Sequence, residues 1–278
     1  MPEGHRARKR FSQNFLHDQH YIARIVAAVD PRPGERIVEI GPGLGALTAP
    51  LIERAGAIEA VEIDRDLAAR LRQRFGPEQL ALTEGDALAL DWAQLAGRDA
   101  RPLKIVGNLP YHVSTPVLFA LLPIASRVLA QTFMLQKEVV DRIVAAPDSS
   151  DYGRLSVMLQ QRYRCARLFV VPAGAFSPPP QVQSAMVRLA PRPPSELHDV
   201  PGPAFARVVT AAFGQRRKTL RNALGELLSE QAIRGAGVDP QARAETLGVA
   251  QFEALALAVG SAVGSGLAFC LPEAQGKT

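Results

Sequence analysis

The stretch Arg36-Ile37-Val38-Glu39-Ile40-Gly41-Pro42-Gly43-Leu44-Gly45 decides the fold. Its first half is an apolar run of strand length, and its second half is a glycine loop opening a helical segment, Leu44–Arg54. Glycines at such a handover let backbone approach a ligand closely and adopt turns that a Cβ resists. The spacing is G-x-G-x-G rather than the G-x-G-x-x-G of dinucleotide sites, which suits a nucleoside without a pyrophosphate. A purely structural turn would also use Gly-Pro-Gly, so the loop has to be weighed with what surrounds it.

Working outward, Ala57–Ile63, Leu80–Thr83, Leu103–Val106 and Val128–Leu135 read as further strands. Helical segments fall between them at Arg65–Phe75, Asp91–Leu95 and Ser114–Leu122. In the first of these, Leu67, Leu71 and Phe75 recur on one face, and Thr115-Pro116 puts a proline near a helix start. This alternation implies a mostly parallel sheet covered on both faces. Helical stretches Lys137–Ala145 and Arg154–Tyr163 come next, and two apolar runs, Ala166–Val171 and Ala185–Leu189, are candidates to close the sheet as antiparallel strands. Pro191, Pro193, Pro194, Pro201 and Pro203 would break any helix or central strand. Beyond them Ala204–Phe213, Arg217–Leu228 and Gln251–Val259 read as helical. The expected organisation is α/β: an N-terminal arm and Rossmann-like domain over 1–190, a proline-rich linker over 191–203, a small all-α domain over 204–260 and a flexible tail over 261–278.

At 278 residues, with 47% hydrophobic and 21% charged side chains, the chain has the makings of a real core. Cys165 and Cys270 are too few and too far apart for a disulfide scaffold or a zinc site. The N-terminus lacks the apolar core of a signal peptide, and no apolar run is long enough to span a membrane, so a soluble cytoplasmic protein is expected. No exposed heptad or apolar stripe demands a dimer, so the expected state is a monomer. Charge is segregated. Residues 1–10 carry +3, residues 154–167 carry +4 and residues 205–222 carry +5; against a total of +5, the rest holds −7. Each basic stretch alone fits a solvated helical face. Three together favour a polyanionic partner, because clustered Lys and Arg release counterions condensed on phosphates.

Two acids extend the glycine loop into a pocket. Glu62, 21 residues after Gly41, ends the next strand, where a carboxylate can accept both hydroxyls of a ribose. Asp86, in Gly85-Asp86-Ala87 after the third strand, can accept from an adenine amino group. Three polar features at the carboxyl ends of successive strands form one crevice. S-adenosylmethionine satisfies all three without phosphate contacts; a nicotinamide dinucleotide is the rival.

The fourth strand ends on the same edge in Asn108-Leu109-Pro110-Tyr111. Adenine N6 is a poor nucleophile because its lone pair is delocalised into the ring. The Asn108 amide oxygen and the Leu109 carbonyl can each accept one N6–H and ease pyramidalisation, with Pro110 restricting the preceding residue so that this carbonyl faces the site. Tyr111 offers a ring on which an extruded base can stack. Alignment and electrostatics then do the work, and no metal is required because a sulfonium donor is already activated. Phe176, before Ser177-Pro178-Pro179-Pro180, is a second aromatic candidate for framing the base, although a phenylalanine beside prolines is more often a core residue.

Arg10-Phe11-Ser12-Gln13-Asn14-Phe15-Leu16, Glu39–Gly45, Glu62-Ile63-Asp64, Gly85-Asp86-Ala87, Asn108–Tyr111, Phe176–Ser184 and Phe213-Gly214-Gln215-Arg216-Arg217-Lys218 occur in this order. As an ordered set over residues 9 to 222 they resemble the ribosomal RNA adenine N6,N6-dimethyltransferase family. The resemblance implies cofactor contacts from Asn14, Leu16, Gly41, Glu62, Asp86 and Asn108, and an adenine framed by Asn108, Leu109, Tyr111 and Phe176. It implies that Arg216, Arg217, Lys218 and Arg221 grip ribosomal RNA. It also implies a substrate of two adjacent adenosines in the terminal hairpin of small-subunit ribosomal RNA, each methylated twice within an immature subunit. His112 stands where the family usually has Asn, and Ser12 where it often has Gly. His112 opens the way to an altered cofactor affinity or a pH dependence. Two rival classes remain: an adenine-N6 DNA or amide-N protein methyltransferase, and a non-catalytic assembly factor that keeps the fold. The basic helical domain and Leu109, where related sites have proline, speak against the first; an intact Glu62, Asp86 and Asn108 speak against the second.

Overall fold

The computed structural model describes residues 14–215 and 217–263, with side chains as far as Val259. Arg6, Arg8, Lys9, Arg10, Phe11, Ser12, Gln13, Arg216 and the tail beyond Val263 lie outside the described residues. The strands are β1 (Phe15–Leu16), β2 (Arg36–Ile40), β3 (Ile58–Glu62), β4 (Leu80–Glu84), β5 (Leu103–Asn108), β6 (Val128–Gln136), β7 (Tyr163–Val171), β8 (Phe176–Ser177) and β9 (Ser184–Pro191). The helices are α1 (Gln19–Val29), α2 (Thr48–Ala55), α3 (Arg65–Arg74), α4 (Trp92–Gly97), α5 (Ser114–Ala120), α6 (Lys137–Val144), α7 (Arg154–Gln160), α8 (Gly202–Gly214), α9 (Leu220–Ala223), α10 (Glu230–Gly235) and α11 (Val249–Val263).

Seven strands form one sheet in the order β4-β3-β2-β5-β6-β9-β7, and β1 pairs with β8 in a separate ribbon. β4 through β6 are parallel, while β9 is antiparallel to both β6 and β7, as the two late apolar runs suggested. The chain lays β3 and β4 on one side of β2 and then returns to place β5 on the other. The carboxyl ends of β2 and β5 are therefore the switch point, where open α/β sheets leave a crevice. All five residues of β2 are buried, Glu39 included. At the end of β5, Gly107 lies opposite Ile40, and a Cβ there would sit 2.5 Å from the Ile40 carbonyl oxygen. Only glycine lets the two strands close at this point.

Helix α1, which the apolar alternation does not announce, is capped by Asp18, whose side chain accepts from the N–H groups of His20 and Tyr21. It buries Ile22, Ile25, Val26 and Val29 at helical spacing. The helix expected over Leu44–Arg54 begins only at Thr48, because Gly41, Gly43 and Gly45 all take positive φ and keep the preceding segment as turns.

The chain divides into two compact units, and the division differs from the expected one. The first comprises the chain up to Ala145 and Leu159–Leu197; the second comprises Ala146–Met158 and the chain from His198. Ala146–Met158 joins the second unit because the Asp148 N–H donates to the Glu245 carbonyl at 2.9 Å and the Tyr152 hydroxyl to the Leu247 carbonyl at 2.8 Å. The expected linker is partly structured: β9 continues to Pro191, and a 3-10 turn occupies Pro194–Glu196. In the second unit, α8 buries Phe205, Val208, Val209 and Ala212, while Phe213 stacks on Phe252 of α11 at 5.6 Å. The helix expected over Arg217–Leu228 shrinks to Leu220–Ala223, and α11 continues through residues 261–263 of the expected tail. Among the described residues no helix is long and apolar enough to cross a membrane.

Candidate active site

A cavity of about 290 Å³ opens at the carboxyl ends of β2, β3 and β5, within the first unit. Its walls bring together Asn14, Leu16, Gly41, Glu62, Asp86, Asn108, Leu109 and Tyr111, all of them expected at one site. The ionisable side chains along it are Glu39, Glu62, Asp86, Tyr111 and His112, so the lining is acidic. That suits a ligand with positive charge better than a dinucleotide's pyrophosphate.

Glu62 ends β3 and is 4% exposed. One carboxylate oxygen accepts the Gly43 N–H at 3.0 Å and the other accepts the Asp64 N–H at 2.9 Å. Burial raises its pKa, and the hydrogen bonds from Asp64 and Gly43 oppose that shift. Each oxygen keeps a lone pair for a ligand hydroxyl. Beside it Ile63 is 47% exposed, an apolar surface suited to one face of a purine. Asp86 is exposed, and its Oδ1 accepts the Leu88 N–H at 2.8 Å in a local turn that fixes the carboxylate at the cavity mouth. Gly43 holds positive φ, with the Phe15 ring packed against the position a Cβ would take. Phe15 of β1 thus lies directly on the glycine loop.

Asn108 ends β5. Its Nδ2 donates to the Asn14 carbonyl at 3.2 Å, which leaves Oδ1 as the acceptor of the side chain. The Leu109 N–H donates to the Met134 carbonyl at 3.2 Å, anchoring the turn against β6. Tyr111 is half-buried, and its hydroxyl is 2.8 Å from Ser184 Oγ. Burial raises the phenol pKa. His112, the departure from the family pattern, is exposed on the cavity wall.

Phe176 is placed otherwise than expected. It is 3% exposed and belongs to a core cluster with Leu16, Ile22, Val171 and Met186, not to the cavity lining. Register explains this: Leu16 pairs with Phe176 across β1 and β8, and the Ala175 carbonyl accepts the N–H groups of His17 and Asp18. A phenylalanine gains about 2–3 kcal/mol more in such a core than at a wet mouth. Conversely, Glu39 carried no expected role, yet it lines the cavity at 2% exposure, accepts from Thr48 Oγ1 at 2.6 Å and has its pKa pushed up to about 7 by burial. The available signal was an acid within a central strand otherwise apolar from Ile37 to Ile40.

The basic stretches also separate. Arg164 pairs with Glu196, and Arg167 with Asp141 at 2.6 Å, so residues 154–167 present less free charge than their composition suggests. In the second unit Arg217, Lys218 and Arg221 are exposed. Arg221 lies 3.7 Å from Glu230, which also binds Arg234.

Among similar proteins, the ribosomal RNA small subunit methyltransferase A of Aromatoleum aromaticum is 57% identical over 251 residues, covering 90% of this chain and 93% of that protein. The protein of the same name from Acinetobacter baylyi is 56% identical, covering 91% and 92%. Of solved structures, a dimethyladenosine transferase from Plasmodium falciparum superposes with a TM-score of 0.74 at 22% identity, covering 89% of this chain and 98% of that one, a likeness of fold alone. The 23S rRNA methyltransferase ErmE gives 0.65 at 27% identity, covering 89% and 100%. The profile described as ribosomal RNA adenine dimethylase matches residues 4–259, and the chain belongs to that family.

Proposed function

We propose that the protein transfers methyl groups from S-adenosylmethionine to adenine N6 in small-subunit ribosomal RNA, two to each of two adjacent adenosines in the terminal hairpin of an immature subunit, acting as a monomer in the cytoplasm. The observation that carries this reading is the Asn108 amide, held by the Asn14 carbonyl with its oxygen left to accept, in the same cavity as the Glu62 carboxylate. When bound, S-adenosylmethionine supplies an electrophilic methyl on a sulfonium.

The chain's residues do the rest. Glu62 would hold the ribose hydroxyls, Ile63 the purine face and Asp86 its amino group. Asn14 and Leu16 close the cavity from the arm, and Asn14 also orients the Asn108 amide. Asn108 Oδ1 and the Leu109 carbonyl accept the two N6–H bonds, which localises the nitrogen lone pair toward the methyl. Tyr111 stacks on the extruded base. Each transfer would break the sulfonium S–CH3 bond, leave a neutral thioether and make N6 cationic until it loses one proton to water. After the first, one N6–H remains, and either acceptor serves the second. Arg217, Lys218, Arg221 and Arg216 bind phosphates and position the RNA without reading its sequence.

The test is incubation with labelled S-adenosylmethionine and, separately, unmethylated small subunits, naked ribosomal RNA and duplex DNA, followed by nucleoside analysis. Dimethyladenosine in the subunits is expected; label in DNA alone overturns the reading, and no label anywhere points to the non-catalytic class. Asn108→Ala should lower turnover by at least about 100-fold while subunit binding persists. Near-normal turnover in that variant would refute the amine-positioning role.

A further inference from the structure

Ser184 is fully buried at the start of β9, where it is followed by the buried Ala185, Met186 and Val187. Its Cα lies opposite Gln136 of β6 on one side and Val171 of β7 on the other, so it sits in a three-strand ladder. A hydroxyl in such a place needs a partner, and that partner is the phenol of Tyr111, 2.8 Å away. Tyr111 lies on the turn after β5, so its ring spans the end of β6 to reach β9. The other end of the residue is also held: Ser114 Oγ donates to the Tyr111 carbonyl at 3.0 Å.

We propose that Ser184 is a positioning residue, whose buried hydroxyl holds the Tyr111 ring in its receiving orientation before the adenine arrives. The inference rests on the reading of Tyr111 as the stacking face. Stacking needs only the ring, which phenylalanine would supply equally well. The phenol is therefore useful for where it puts the ring. A ring free to turn about its side-chain torsions has to be immobilised when the base enters; one already tethered to the sheet does not.

The test uses the full chain with Ser184→Ala, Tyr111→Phe and the double variant, measuring kcat and KM on unmethylated small subunits and cofactor affinity by equilibrium dialysis. One neutral hydrogen bond corresponds to a loss of roughly tenfold. Each single variant should lose about that much kcat, the double should lose no more, and KM and cofactor affinity should hold. Ser184→Thr, which restores a hydroxyl, should recover most of the loss. Wild-type kcat in Ser184→Ala, or losses that multiply in the double, overturn the proposal. If Ser184→Ala also loses cofactor binding, Tyr111→Phe decides: a tenfold loss there supports the tether and full kcat overturns it. Tyr111→Ala with normal turnover would instead refute the stacking reading itself.

Discussion

Gly107→Ala should damage the site without removing any group that touches a ligand. An alanine Cβ at this position would lie 2.5 Å from the Ile40 carbonyl oxygen, whereas ordinary contact begins near 3.4 Å. The strands must separate by about 0.9 Å, and the obstacle is backbone of the central strand, which cannot rotate away as a side-chain tip can. Overpacking of this kind with loss of one or two ladder hydrogen bonds costs on the order of 2–4 kcal/mol. At roughly 2–4 °C per kcal/mol for a chain of this size class, the thermal midpoint should fall by about 5–15 °C. Asn108 is the next residue, and displacement of a positioning group by about 1 Å costs on the order of 100-fold in rate. Scanning fluorimetry and labelled methyl transfer measure both effects. Gly97→Ala, at the end of α4 with open space at its Cβ, is the control and should be neutral or slightly stabilising. A Gly107→Ala protein with an unchanged midpoint and unchanged turnover would refute the close-approach argument.

Phe176→Ala should cost about 3–5 kcal/mol of stability in a chemical denaturation curve, as a truncation in a core does. Tyr111→Ala should cost less, about 1–3 kcal/mol, because it leaves the buried Ser184 hydroxyl without its phenol partner, and should lower turnover. A larger stability loss than that of Phe176→Ala with turnover kept would exchange their roles. Charge reversal at Arg217 and Lys218 should weaken binding to naked ribosomal RNA across sequences and reduce the salt slope by about one for each phosphate that is no longer neutralised, readable from filter binding at several ionic strengths. Glu39 has an ordinary value of 4.5 and a folded value of about 7. The stability this group contributes is present below 4.5 and is lost as pH rises through 7, because the unfolded carboxylate ionises first. Glu39→Gln should therefore gain on the wild type by on the order of 3 kcal/mol between pH 4.5 and 8 in urea titrations; parallel curves would show that Glu39 ionises freely in the fold.

The parts of the fold legible in the sequence were those with a single local cause. β2, the glycine loop and the apolar face of α3 each carry their own period, and Glu62 and Asn108 fall at strand ends that the period fixes. Phe176 was not legible, because its fate depends on β1 pairing with β8, two residues against two across 160 positions of chain. No period marks a two-residue strand. Ala146–Met158 escaped for the same reason: its bonds to Glu245 and Leu247 are long-range and leave no pattern at residue 150. The basic stretch at 154–167 misled in a different way. Composition counts Arg164 and Arg167 as free charge, while the fold sets Glu196 and Asp141 beside them. Glu39 was visible as an odd residue in a buried strand, but its consequence depends on Thr48 and on the depth of the cavity.

That carboxylate bears on how one site serves partners of opposite charge. By formula Glu39, Glu62 and Asp86 give the cavity a charge of −3, which would draw in a cationic donor and repel the phosphates that must follow. The structure softens the conflict. Glu62 has its two oxygens engaged by backbone N–H groups, so much of its field is already compensated. Glu39, with a pKa near 7, is about half neutral at that pH before a cation arrives. A positive ligand in the cavity favours its ionised form, so the negative charge becomes fully developed where and when there is a cation to match it. The bound cation then offsets part of that charge and lowers the repulsion that an approaching RNA backbone would meet at the cavity.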